Sequence, residues 1–111
     1  MALNLDETIA KMVEAVVNEV NPDRIYLFGS RARGDAAEQS DVDLLVVERE
    51  SFGPERSRFR ETNRIYDALA AFRVPTDVLL YSHEEWEKWS SSLNHVIGRC
   101  KREGRLLYAR S

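Results

Sequence analysis

Apolar residues recur at three- and four-residue steps in two long stretches of the chain, which is the spacing of one helical face. The first stretch covers residues 5–20, where Asn4 is placed as N-cap and Glu7 completes a capping box. The second covers residues 59–72 and begins its apolar set with Phe59. We therefore predict two long helices. Three arginines at four-residue steps are assigned to a solvated face of the second helix: Arg56, Arg60 and Arg64.

Short runs rich in β-branched and aromatic residues indicate strands at 25–28, 42–47 and 78–81. A further apolar run at 106–108 leaves the expected number of strands at three to four. Ser82 is placed to cap another helix, and residues 93–100 are interpreted as one more helical piece. The polar segment 30–40 is predicted to be a loop or one short helical turn.

The connections between these runs predict how the strands pair. A helical crossover joins the second strand to the third, which favours parallel pairing, whereas the short link between residues 28 and 41 lets the first strand run antiparallel to the second. The fold class is therefore α/β of the α+β type, with a small mixed sheet of three to four strands flanked by helices. This topology would bring Gly29-Ser30, Asp41, Asp43 and Asp77 to one end of the sheet.

Composition limits the classes of function. With 111 residues, 43% of them hydrophobic and 32% charged, residues 1–111 have the balance of one globular domain. The net charge of −3 gives no long-range attraction to nucleic acid, so direct nucleic-acid binding is not expected. The single cysteine, with no secretion signal and no membrane-length apolar stretch, favours a cytoplasmic protein without membrane association.

Two carboxylates interrupt the apolar second strand. Asp41 and Asp43 are two residues apart, so their side chains leave one face of the strand about 6–7 Å apart. A cation would relieve their repulsion, and ligation by oxygen alone suits Mg²⁺ or Mn²⁺. Asp77, which starts the neighbouring strand, can supply the third carboxylate of a two-metal site for phosphoryl or nucleotidyl transfer. The alternative for such an acid pair is a plain strand-end feature without chemistry.

A candidate phosphate-binding turn precedes these acids. Gly29 lets the backbone approach a phosphate closely, and the Ser30 hydroxyl and nearby amides can donate hydrogen bonds to it. Arg31 and Arg33 follow at once and could neutralise a triphosphate.

Gly29-Ser30, ten intervening residues and then Asp41-Val42-Asp43 resemble the signature of the DNA polymerase beta nucleotidyltransferase superfamily. The chain is similar to its compact members, the minimal nucleotidyltransferases, many of which are antitoxins paired with a HEPN-domain ribonuclease toxin. The resemblance implies that Asp41, Asp43 and Asp77 bind Mg²⁺ and that Gly29 and Ser30 hold the triphosphate. It also implies transfer of AMP from ATP to a tyrosine hydroxyl on the toxin.

Two other functions stay open from the sequence. One is an antitoxin that neutralises its partner by docking alone, although intact acids argue against lost catalysis. The other is a small-molecule nucleotidyltransferase of the aminoglycoside-modifying kind, whose members carry a further helical domain to enclose the substrate.

The remaining distinctive side chains receive structural interpretations. His83 and His95 are predicted to be surface or cap residues, and Cys100 a small buried hydrophobe. Trp86 and Trp89 are predicted to face the core, with an exposed patch for a partner as the alternative, and Tyr26 and Tyr81 are predicted to be packing residues.

Overall fold

Four helices and four strands make up the parts of the chain that the computed structural model describes, residues 5–29 and 41–110. Their order is α1 (Leu5–Val20), β1 (Arg24–Phe28), β2 (Val42–Glu48), α2 (Arg58–Leu69), β3 (Thr76–Ser82), α3 (His83–Trp89), α4 (Val96–Glu103) and β4 (Arg105–Ala109). A 3₁₀ turn, Ala70–Phe72, extends α2. The predicted cap Asn4 and the segment 30–40, with Ser30, Arg31 and Arg33, lie outside the described residues.

The strands form one mixed sheet in the order β3-β2-β1-β4. β1 pairs antiparallel with both β2 and β4, while β2 and β3 are parallel across the α2 crossover. The predicted pairing of the first three strands is therefore confirmed. The apolar run at 106–108 is a fourth strand, β4, which lies at one edge of the sheet.

Alternating residues of β2 build two cores, one on each face of the sheet. Val42, Leu44 and Val46 are buried beneath α1 and α2. Leu45 and Val47 are buried on the other face, against residues of α3 and α4 such as Trp86 and Ile97. A strand that is covered on both faces has a continuous run of apolar residues in its sequence. The apolar run therefore predicted the position of β2 well.

The starts of two helices and one burial assignment differ from the sequence prediction. α2 begins at Arg58, with Ser57 as its N-cap, so Arg56 precedes the helix. Phe59 is 75% exposed, because Ile65 and Leu69 occupy the face that packs on the sheet. The last helix begins at Val96 rather than at residue 93, because His95 caps it: its Nδ1 accepts the Ile97 N–H at 3.1 Å.

The other structural interpretations are mostly confirmed. Ser82 caps α3 in a full capping box with Glu85. Tyr26 stacks on the buried Trp86 with ring centroids 4.8 Å apart, whereas Trp89 is 37% exposed and stacks on His95. No helix within residues 5–29 and 41–110 is long and apolar enough to cross a membrane.

Candidate functional site

The sequence-predicted acids lie at one end of the sheet, as a direct result of strand register. Phe28, the last residue of β1, pairs with Asp43 of β2. Asp43 in turn pairs with Asp77 of β3. Neighbouring strands lie about 4.8 Å apart, so three adjacent strand ends place Gly29, Asp43 and Asp77 side by side. Asp41 comes one residue before β2 at the same end.

Asp43 and Asp77 share a face of the sheet as well as an end. Asp43 alternates with Val42 and Leu44, which are buried under α1 and α2, so it belongs to the α3 and α4 face. Asp77 belongs to that face too, since Val78 after it is buried in the opposite core. Asp43 is half-buried, whereas Asp41 and Asp77 are exposed. The face that carries the acids is therefore accessible at this end of the sheet.

Gly29 has a geometric reason to be glycine. Its φ of +75° lies in the left-handed region, and a Cβ built on it would stand 2.5 Å from Asp43 Oδ2. The backbone that leaves β1 thus passes directly beside the Asp43 carboxylate. This close approach joins the predicted phosphate-binding turn to the predicted metal ligands.

The donor chemistry of this sheet end fits a hard divalent cation. Asp41, Asp43 and Asp77 offer carboxylate oxygens, which Mg²⁺ and Mn²⁺ prefer. Within residues 5–29 and 41–110, no three His, Cys, Asp or Glu side chains lie close enough together to form a metal-binding site on their own. Mg²⁺ is usually bound by one or two carboxylates together with substrate phosphates, and an open set of acids suits that mode.

A second acidic group, which the sequence analysis missed, lies at the opposite end of β2. Glu48 is 3% exposed and accepts a hydrogen bond from Arg56 Nη2 at 2.5 Å, and the same nitrogen lies 3.3 Å from Glu61 Oε2. Burial, followed by its hydrogen bond with Glu61, raises the pKa of Glu48 to about 8. The feature of the sequence that could have revealed this group is a glutamate at the end of an apolar strand. This group ties β2 to α2 and is far from the converging acids.

The surroundings of the α3 and α4 face are held by further polar contacts. Arg58 forms a two-pronged ion pair with Glu85, at 3.0 and 2.7 Å, and donates to the Leu80 carbonyl at 2.7 Å. The Glu85 hydrogen bond is the main cause that raises the pKa of Arg58 above its ordinary value. Burial raises the pKa of Tyr81, which fits its packing role. These contacts fix α3 against β3 and α2.

The fold and this arrangement of acids define the class of protein. The family model described as "Nucleotidyltransferase domain" matches residues 9–98, which include β1, β2 and β3 with the converging acids. The chain belongs to this nucleotidyltransferase domain family.

Curated relatives and solved structures agree with that family. Two Methanocaldococcus jannaschii proteins match parts of the chain: "Putative protein adenylyltransferase MJ0141", 36% identical over 52% of this chain and 54% of its own length, and "Putative protein adenylyltransferase MJ0604", 40% identical over 40% and 47%. The chain spans about half the length of these curated relatives.

Two solved structures share the fold. One is described as a "putative nucleotidyltransferase" from Sulfolobus solfataricus; it is 24% identical, with a TM-score of 0.60 over 94% of this chain and 79% of its own. The other is a toxin-antitoxin crystal structure with AMP-PNP, 21% identical, with a TM-score of 0.55 over 92% and 74%. The nucleotidyltransferase fold expected from the sequence is thereby confirmed.

Proposed function

We propose that this chain is a protein adenylyltransferase, which transfers AMP from ATP to a tyrosine hydroxyl of a HEPN-domain toxin and so neutralises the toxin as its antitoxin. The observation that carries the proposal is the register that aligns Gly29, Asp43 and Asp77 across three adjacent strand ends. The names of the two curated relatives support protein adenylylation. The shared fold with an antitoxin complex that contains an ATP analogue supports both the partner and the nucleotide.

The proposed reaction is an in-line displacement. The tyrosine oxygen attacks the α-phosphorus of ATP, the new oxygen–phosphorus bond forms, and the bond to pyrophosphate breaks. Gly29 and Ser30 hold the triphosphate, and Arg31 and Arg33 balance the charge of the leaving pyrophosphate. Asp41, Asp43 and Asp77 are the residues that would hold a divalent cation, Mg²⁺ or Mn²⁺, and that cation would neutralise more of the phosphate charge when bound.

Asp77 is the candidate for receiving the tyrosine proton. It is exposed, and it stands at the start of β3 beside Asp43. An exposed carboxylate next to the phosphate site can meet an acceptor hydroxyl that a partner protein presents. The partner would also help to orient that hydroxyl toward the phosphorus, which is the main entropic cost of the reaction.

The product explains how the toxin is silenced. An added AMP group carries a phosphate and a nucleoside, so it places negative charge and bulk beside an RNA-cutting site. RNA approaches proteins through its own phosphates, and the added charge repels it. Neutralisation therefore needs modification of the toxin and does not require a permanent complex.

Intact-mass spectrometry of the cognate toxin after incubation with this protein, Mg²⁺ and ATP tests the proposal. We expect a mass gain of one or more AMP units, and we expect no gain with the Asp41→Asn, Asp43→Asn double variant. Asp67→Asn is the matched control, because Asp67 is an exposed acid on α2, which packs on the opposite face of the sheet. A toxin that is silenced without any mass gain would reject the proposal in favour of docking.

A further inference from the structure

A small cavity adjoins the candidate site on the α4 side of the sheet. Its volume is ≈ 140 Å³, and one of its walls is Gly29, whose backbone also passes beside Asp43. α4 provides the opposite wall, and the described lining residues are Phe28, Gly29, Val96, Arg99, Cys100 and Glu103. The cavity therefore lies on the same face as the acids and next to the proposed phosphate-binding turn.

The orientation of α4 is set by its packing. Ile97 and Cys100 are buried in the core beneath the helix. On another side, Gly98 packs against the Ser92 carbonyl so closely that a Cβ there would overlap the oxygen. Arg102 donates to that same carbonyl at 2.9 Å. These contacts restrict rotation of α4 about its axis, and they leave the Val96, Arg99 and Glu103 side of the helix facing Gly29.

Arg99 and Glu103 are the charged residues among the described residues that line this cavity. Arg99 Nε lies 3.8 Å from Glu103 Oε2, and the two side chains are 62% and 51% exposed. A pair this long and this exposed is weak, so a phosphate group can displace the carboxylate at little cost. A guanidinium can bind phosphate through two parallel hydrogen bonds, which a single distant carboxylate oxygen does not match.

We propose that Arg99 is a nucleotide-contacting residue, which binds the phosphate chain of the nucleotide held at Gly29, and that Glu103 competes for the same guanidinium. This inference rests on the proposed function. It gives the two residues opposite effects: Arg99 strengthens nucleotide binding, and Glu103 weakens it by holding Arg99 and by repelling phosphate. Neither residue is needed for α4 to pack, because the buried contacts of the helix involve other positions.

Calorimetric titration of the protein with AMP-PNP and Mg²⁺ tests the inference without any partner. We expect Arg99→Gln to weaken binding about tenfold, which is the usual effect of losing one charge-assisted contact. Glu103→Gln should tighten AMP-PNP binding about two- to threefold, because it removes one exposed negative charge that competes with phosphate for Arg99. Lys101→Gln is the matched control, since it removes one positive charge from the exposed side of the same helix. Arg99→Lys should recover part of the affinity, and unfolding temperatures should be unchanged.

The outcomes separate this inference from the proposed function. If the wild-type protein binds AMP-PNP, and Arg99→Gln and Lys101→Gln both bind it within twofold of the wild-type affinity, the proposed role of Arg99 is overturned. The proposed function would still stand. Equal weakening by Arg99→Gln and Lys101→Gln would also overturn it, because net charge alone would then explain the effect. Wild-type protein that binds no AMP-PNP would overturn both. In the transfer reaction, the Arg99 variant should raise KM for ATP more than it lowers kcat.

Discussion

Replacement of Gly29 by alanine tests the close approach between the β1 turn and the Asp43 carboxylate. The new Cβ would lie 2.5 Å from Asp43 Oδ2, and ordinary contact between carbon and oxygen needs about 3.4 Å or more. The oxygen belongs to the end of a flexible side chain, so it can retreat by about 0.9 Å at small energetic cost. The substitution should therefore displace a proposed metal ligand without unfolding the protein.

The expected loss of stability is small and can be worked out from the backbone. A non-glycine residue at the Gly29 φ of +75° costs about 1–2 kcal/mol. The reduced entropy of the unfolded chain returns about 0.4–1 kcal/mol. The net loss is about 1 kcal/mol, or about 4 °C in the unfolding temperature of a domain of this size. AMP transfer should fall much further, by about 100-fold, because a displacement near 1 Å disrupts reactive geometry.

Thermal unfolding and initial rates of AMP transfer measure the two effects on the same samples. Gly53→Ala is the matched control, because a Cβ at Gly53 meets nothing within 4 Å. It should change neither property. If Gly29→Ala transferred AMP at the wild-type rate, the close approach of Gly29 to Asp43 would have no part in the reaction, and our account of this glycine would be wrong.

Further predictions concern the parts of the fold that support the site. Arg58→Lys should lower the free energy of unfolding, measured with urea, by about 1 kcal/mol, because lysine cannot form the two parallel hydrogen bonds with Glu85. Arg60→Lys, which changes an exposed side chain of the same helix, should leave this free energy unchanged. Between pH 4.5 and about 8 the folded state holds a proton on Glu48 that the unfolded state has released, so the free energy of unfolding should fall as pH rises. Urea unfolding at several pH values measures this slope, and Glu48→Gln should remove it. Burial raises the pKa of the Cys100 thiol to about 12, so a thiol reagent should label it only after denaturation, and rapid labelling of folded protein would contradict its burial.

Most of what could be predicted about the fold came from the pattern of apolar residues in the strands. Alternation is absent from β2, and that absence correctly indicated a strand with Leu44 and Leu45 buried on opposite faces. The lengths of the two connections then predicted which neighbours are parallel and which antiparallel. These two steps predicted that Asp43 and Asp77 lie at the same end of the sheet, where the structure pairs the two residues across β2 and β3.

Side-chain burial at helix ends was harder to predict. Phe59 is apolar and lies at helical spacing, yet it is exposed, because Ile65 and Leu69 occupy the face of α2 that packs on the sheet. The last helix was predicted to begin at residue 93, two residues before His95, which was expected to be a surface or cap residue. His95 does cap the helix, through its ring nitrogen, which is not a usual capping group.

The contacts of Arg99 could not be foreseen either. The sequence showed Arg99 as one of several basic residues near the C-terminal end of the chain. Its position beside Gly29 depends on how α4 packs against the Ser92 carbonyl and the sheet. Such long-range packing leaves no local pattern in the sequence, so only the folded arrangement distinguishes Arg99 from Lys101.

The most direct test of the central claim is to locate the nucleotide on the protein by nuclear magnetic resonance. Mn²⁺ with AMP-PNP broadens backbone amide signals steeply with decreasing distance. We predict the strongest broadening at Gly29, Asp43 and Asp77, and little at Glu48 and Ser82, which lie at the other end of the same parallel pair. Broadening centred on Glu48 and Glu61, or spread evenly over the sheet, would contradict this prediction.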